Sequence, residues 1–287
     1  MQAPPAILIL IPYFGSLPWY FPYFLHSCKH NPTIDVLIFS DTKEQHQLPD
    51  NVRIVHTTLD DIRRLATDKL GLKVCIDSPY KLCDFKPAYG LIFEDYTKDY
   101  DFWAISDIDV IYGDLRSFFT PDLLTAHDFI NVRHDYTTGC FMLIRNNATM
   151  KQLFRRSRDH EKVFTSKPYL GFDELNFKHC ELNEGKQLQD IVTDIECFTH
   201  LVKHAAQNKE INAHFDFILI EGVPGRIRYS GGQIIYNNQF EAALYHLYWL
   251  KRAWRPRRAI TTIPDTYFIS PTRIYHKHRK KTYDVQE

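Results

Sequence analysis

Residues 6–11 read AILILI, six apolar side chains in a row with no polar residue between them. A strand with one wet face alternates; a run like this one must be covered on both faces. A chain that opens this way is expected to build a sheet with layers packed on either side. Further strands are read at DVLIFS (Asp35–Ser40), VRIVH (Val52–His56) and DFWAIS (Asp101–Ser106). Helical patterns fall between these runs, over Pro18–His30, Leu59–Leu70 and Lys81–Tyr96, the last with Leu82, Phe85, Tyr89, Ile92 and Phe93 on one face. Such alternation implies an α/β fold with a mainly parallel sheet. The second half is more mixed. Phe129–Arg133 and Gly139–Arg145 read as strands, Asn147–His160 as a helix, and Phe215–Glu221 and Arg226–Tyr236 as strands. Ser230-Gly231-Gly232 marks a hairpin turn in the last of these, and Glu241–Trp249 is a short aromatic segment. The expected division is one catalytic domain over residues 1–250 and a basic extension over 251–287.

Composition narrows the class. With 44% hydrophobic residues and no net charge over 287 residues, a disordered chain is excluded. Residues 1–25 carry no charge, but Pro4, Pro5, Pro12, Pro18 and Pro22 break any helix there. The apolar core is far short of the roughly 20 residues that span a bilayer, and no basic stretch precedes it. Cys28, Cys75, Cys83, Cys140, Cys180 and Cys197 form no C-x-x-C pair. They read as reduced thiols of a cytoplasmic protein, soluble or peripheral on the inner face of a membrane. The neutral total conceals a division. Residues 251–287 hold 10 basic and 3 acidic side chains, a net +7, against 25 basic and 32 acidic, a net −7, in residues 1–250.

The chemistry concentrates at Asp107-Ile108-Asp109, directly after the strand DFWAIS. Carboxylates two apart on an extended backbone point to the same side. The carboxyl end of a strand is where open α/β sheets bind ligands. Paired carboxylates suit Mg²⁺ or Mn²⁺, and clustered acids there cost stability unless a cation balances them. Asp114 follows, before an expected short helix over Leu115–Phe119.

Strand, D-x-D, strand, after a nucleotide-binding α/β half, resembles the GT-A fold glycosyltransferases, a Rossmann-like class that uses nucleotide-sugar donors. Other segments match in the same order across roughly residues 6–252. IPYFG (Ile11–Gly15) ends the first strand, which implies that Tyr13 and Phe14 lie beside the base. FSD (Phe39–Asp41) implies a nucleoside contact for Asp41, and KLCDFKPAYG (Lys81–Gly90) implies that Asp84 holds ribose and Lys86 a phosphate. YHLYWLKR (Tyr245–Arg252) resembles a late His…Lys segment, in which His246 completes the metal shell and Lys251 holds the diphosphate. Its spacing departs from the H-x-x-G-x-x-K form and has no Gly. The resemblance implies Mn²⁺ or Mg²⁺ on Asp107, Asp109 and His246, with Asp107 also turned toward the donor. It further implies a UDP-sugar donor and a glycan or lipid-linked acceptor, as in polysaccharide biosynthesis.

Gly171-Phe172-Asp173-Glu174 precedes an expected short helix, Leu175–His179. Asp173 and Glu174 are expected either to cap that helix or to face the acceptor as catalytic carboxylates, one acting as general base. Ordinary roles compete elsewhere too: Asp41 as a turn cap, Asp84 and Lys86 on a helix surface, His246 as a packed ring. Lys251, Arg252, Arg255, Arg257, Arg258, Arg273, Lys277, Arg279, Lys280 and Lys281 make the extension basic, suited to an anionic membrane surface; nucleic acid is the less favoured partner. A sugar-phosphate nucleotidyltransferase needs a glycine-rich loop after its first strand, and IPYFGSLP has one Gly. A non-catalytic glycan- or nucleic-acid-binding module with a basic arm is the alternative, and it has no use for D-x-D at a strand end.

Overall fold

The computed structural model describes residues 4–43, 47–258, 260 and 262–276. Its strands in chain order are β1 (Ile7–Pro12), β2 (Ile34–Ser40), β3 (Val52–His56), β4 (Phe102–Ser106), β5 (Val110–Tyr112), β6 (Phe129–Asn131), β7 (Phe141–Arg145) and β8 (Ala213–Phe215). They continue with β9 (Leu219–Ile220), β10 (Ile227–Ser230), β11 (Gln233–Tyr236), β12 (Phe240–Ala242), β13 (Leu244–His246), β14 (Thr266–Ser270) and β15 (Arg273–Tyr275). The central sheet has the order β3-β2-β1-β4-β7-β6-β8. β3–β2, β2–β1, β1–β4 and β6–β8 are parallel, whereas β7 runs antiparallel to β4 and β6. The fold is therefore mixed α/β, with a mainly parallel sheet flanked by helices.

The unbroken apolar run of β1 is explained by its two neighbours. Ile7, Ile9 and Ile11 pack with Phe21, Phe24, Val36 and Ile38 on one face. Leu8 and Leu10 pack with Leu37, Ile62, Phe85 and Trp103 on the other. Helix Phe21–Lys29 and the small antiparallel sheet β12-β11-β10-β14-β15 cover the first face. Helix Leu59–Leu70 lies over the second, turning Ile62, Ala66 and Leu70 inward at a spacing of four. Thr58 and Asp61 form a reciprocal capping box at its start, and Gly71 ends it in the left-handed region at φ 69°.

Several expected elements are corrected. The helix read over Lys81–Tyr96 is a 3₁₀ segment, Pro79–Ala88, followed by two single turns, Tyr89–Ile92 and Glu94–Thr97. Pro87 lies inside it, and a proline ring cannot join an α-helical ladder. Asn147–His160 breaks likewise into Ala148–Gln152 and a 3₁₀ turn, with Ser157 extended and its hydroxyl donated to the Glu196 carbonyl. Phe215–Glu221 is not one strand: β8 ends the central sheet, while β9 joins a separate three-stranded sheet, β5-β13-β9. Leu175–His179 is a turn, with Asn176 and Phe177 both at positive φ, and the helix begins only at His179. Glu241–Trp249 contains β12 and β13.

Candidate functional site

From β1 the chain steps to β2 and then β3 on one side; β4 lies on the other side of β1. The loops leaving the carboxyl ends of β1 and β4 therefore part, and the crevice between them is the place where such sheets bind ligands. A cleft of about 770 Å³ opens there, with Tyr13, Phe14, Lys86, Asp107, Asp109 and Asp173 in its wall. Glu174, His246 and Lys251 also line it.

The meeting of residues 109 and 246 follows from strand register. Asp109 is followed by β5, and β13 pairs with β5 so that Val110 faces His246. The Leu247 amide then donates to the Asp109 carbonyl at 2.8 Å. His246 Nε2 lies 3.3 Å from Asp109 Oδ2, and Lys251 donates to the same carboxylate. One ligand atom each from Asp107, Asp109 and His246 falls within a 4.8 Å group. Two carboxylates and one imidazole form a donor set that fits Mn²⁺ or Mg²⁺.

Each acid of the D-x-D has its own ammonium partner. Lys86 Nζ is 2.6 Å from Asp107 Oδ1, and Lys251 serves Asp109. The balancing cations that the clustered acids require are thus two lysines, one from the 3₁₀ segment and one from the turn of helix after β13. Burial works to raise the Asp109 pKa, but the hydrogen bond and charge of His246, then Lys251, hold the carboxyl well below the usual range. Burial would lower His246, yet its bonds to Asp109, Cys140 and Glu221 hold it well above its ordinary value. A metal taking that nitrogen must displace its proton.

Sequence reasoning missed the residues behind His246. Glu221, at the end of β9, accepts from Nδ1 at 2.8 Å. Arg133 holds Glu221 at 2.9 Å and grips Asp135 with two further bonds of 3.0 and 2.8 Å. This chain fixes which imidazole nitrogen faces Asp109, the arrangement that orients metal-ligating histidines. An acid directly after the apolar pair Leu219–Ile220 was the one available signal.

Asp173 and Glu174 line the same cleft as the D-x-D, with Lys86 lying between Asp107 and Asp173. Asp173 is 1% exposed; its Oδ1 accepts from the Tyr169 hydroxyl at 2.8 Å and its Oδ2 is 3.9 Å from Lys86. Glu174 Oε1 accepts from the Gly139 amide at 3.2 Å. Gly139 is needed here: a Cβ on it would stand 2.2 Å from Asp173 Oδ2 and 3.2 Å from Lys86 Nζ. Burial pushes both carboxyls up, only partly opposed by Lys86, and the two acids repel each other. Neither caps a helix.

Two expected contacts are not brought to the cleft. Asp84 is fully buried, with its oxygens taken by Lys81 Nζ at 2.7 Å and by the Leu170 and Phe172 amides at 2.9 Å. It anchors the loop that presents Asp173, and a ribose contact is replaced by that role. Asp41 lies outside the cleft wall and accepts from the Gly15 amide at 2.8 Å, capping the turn after β1. Tyr13 and Phe14 do line the cleft, with the Tyr13 hydroxyl donated to the Ser16 carbonyl at 3.0 Å. Of the basic extension, Arg255, Arg257 and Arg258 are described and Arg273 is exposed in β15; Lys277, Arg279, Lys280 and Lys281 lie outside the described residues.

A sequence model of a family of unknown function, DUF6625, matches residues 9–278. The chain belongs to this family. No curated protein matches this DUF6625 member. Among solved structures it is similar to an active-site mutant of LgtC, a glycosyltransferase, with 12% identity over 72% of each chain and a TM-score of 0.34. Among the described residues of the DUF6625 chain, no helix is long and apolar enough to cross a membrane.

Proposed function

We propose that the protein is a metal-dependent glycosyltransferase of the GT-A type. It moves a sugar from a nucleotide-sugar, a UDP-sugar in the first instance, to a glycan or lipid-linked glycan. One observation carries this reading: at the switch point of the sheet, two carboxylates and an imidazole converge beside two lysines. A single divalent cation, Mn²⁺ or Mg²⁺, fits Asp107, Asp109 and His246, and when bound supplies Lewis-acid neutralisation of a diphosphate. Lys86 and Lys251 turn from the acids toward the phosphates as point charges. Tyr13 and Phe14 flank the base.

The opposite wall receives the acceptor. Tyr80, Phe177, Phe217 and Trp249 are exposed large hydrophobics, and all four rim this one cleft. Rings over acids suit a sugar, which has apolar faces and hydroxyl edges. Asp173 lines the cleft, and its ionised form, made a stronger base by burial, takes the proton of the attacking hydroxyl if the transfer inverts. The basic extension places the enzyme against an anionic membrane carrying a lipid-linked acceptor.

A thermal-shift series with UDP and Mn²⁺, followed by hydrolysis of a nucleotide-sugar panel, tests the reading. UDP should stabilise the protein only when Mn²⁺ is present, and Asp109→Ala should lose the effect. Full turnover by that variant in chelator would sink metal dependence. A second reading has its own support: Lys86 and Lys251 already neutralise the acids, so glycan binding at the aromatic rim needs no cation. Glycan-dependent stabilisation with no response to UDP would favour that non-catalytic reading.

A further inference from the structure

A second group of ligating side chains lies on the other side of helix Phe21–Lys29, away from the cleft. The segment HSCKH places His26 and His30 four apart, on one face of the helix and its cap. Asp265, directly before β14, comes up against them, with His26 Nε2 3.7 Å from its Oδ1. The two rings are 4.9 Å apart. One nitrogen of each imidazole and one Asp265 oxygen lie within 4.8 Å of one another.

We propose that His26, His30 and Asp265 form a second cation site, which takes Zn²⁺ or a similar borderline transition ion. Two imidazoles and one carboxylate are the ligands such ions prefer, whereas the D-x-D cleft offers mainly hard oxygens. His26 is committed to nothing else: its Nδ1 is buried with no hydrogen-bond partner, and Asp265 is its sole ion-pair contact among the described residues. Tyr229 and Tyr267 pack against its ring and wall the site from the protein side. A Cβ on Gly232 would come within 3.0 Å of His30, so the hairpin glycine leaves that ring its room. Zinc ligands stand about 2.0–2.2 Å from the metal, so the group must close slightly. Asp265 can do this, since its side chain is 89% exposed. Burial, then the charge of its neighbour, lowers the pKa of His26, and burial lowers that of His30. Both rings are therefore available as neutral ligands. The site ties the helix that follows the Tyr13–Tyr20 loop to the five-stranded sheet.

The test is calorimetric titration of the full chain with Zn²⁺ in an Asp109→Asn background, which disables the cleft site. One equivalent should bind and raise Tm, while Mg²⁺ should do neither. Asp265→Asn should weaken Zn²⁺ binding at least about tenfold, the lower end of what loss of even an outer partner costs a metal site. His30→Ala should abolish it. Co²⁺ in place of Zn²⁺ should show no thiolate charge-transfer band, separating the site from the Cys140, Glu221 and His246 group. Equal Zn²⁺ binding with and without Asp265→Asn and His30→Ala would overturn the proposal. Since the cleft is disabled throughout, failure here leaves the glycosyltransferase reading untouched.

Discussion

Asp109 and Asp173 line one cleft, and their surroundings push the two carboxyls in opposite directions. Asp109 is buried but carries an imidazole and an ammonium on its carboxylate, and it stays ionised. Asp173 is equally buried, with a phenol as its near partner and Lys86 only at 3.9 Å, and its carboxyl is raised. Burial is common to both, so the supply of positive charge decides the outcome. An acid held ionised suits the grip on a cation; a carboxylate whose proton affinity is raised suits acceptance of a proton. Separated pairs of this kind are how one site assigns different roles to chemically similar groups.

The largest expected effect breaks the comparison at its metal end. Asp109→Asn should lower turnover of a nucleotide-sugar by about 10²–10³-fold or more, the scale for losing charge stabilisation at a reacting centre. Steady-state assays in Mn²⁺ would measure it, and wild-type rates would remove Asp109 from the chemistry. Asp173→Asn should cost transfer to the acceptor about 10²–10⁴-fold, with UDP binding unchanged by calorimetry. A parallel loss of UDP affinity would place Asp173 on the donor side instead. Glu221→Gln acts one step back, through the orientation of His246, and should weaken Mn²⁺ binding by about 10–100-fold. Titration monitored by Mn²⁺ electron paramagnetic resonance reads this directly.

The smallest effect sharpens the contrast most, because it changes sign. A carboxyl with a depressed folded pKa stabilises the fold above its unfolded value near 3.9, and that contribution is lost as pH falls through the folded pKa. Asp109 is such a group. A carboxyl with a raised folded pKa loses stability as pH rises from the unfolded value through the folded one, as with Asp173. At pH 7, therefore, Asp109→Asn should lower Tm and Asp173→Asn should raise it, each by about 2–4 °C per kcal/mol. Scanning calorimetry on both variants would test this, and shifts of the same sign would show that supply of charge is not what separates the two acids.

The part of this arrangement carried by single apolar runs was legible from the sequence. β1, β2 and β4 are recognisable because two-sided burial leaves their centres apolar, and Asp107 and Asp109 stand out where β4 ends. Asp84 was misplaced because the segment around Pro87 looks amphipathic but is not an α-helix, so its faces could not be assigned. Glu221 and Arg133 were invisible for another reason. They meet across 88 residues, and Glu221 meets His246 across 25, through pairings of β9 and β13 that no local pattern encodes. His246 and Lys251 entered only through a family resemblance, which supplied what strand register later explained.

That register has a consequence for how the protein is made. Lys251 and Asp109 are 142 positions apart, and β13 is the strand that joins β5 to β9. A ribosome builds the chain from its N-terminus, so β1 to β4 can associate while β5 still presents an unpaired edge. Until the later segment emerges, Asp109 has neither His246 nor Lys251, and the exposed edge is a template for intermolecular pairing. Nascent chains stalled before residue 246 should therefore be the species most in need of a chaperone, and binding of Mn²⁺ in the cleft should appear only in chains released past residue 246.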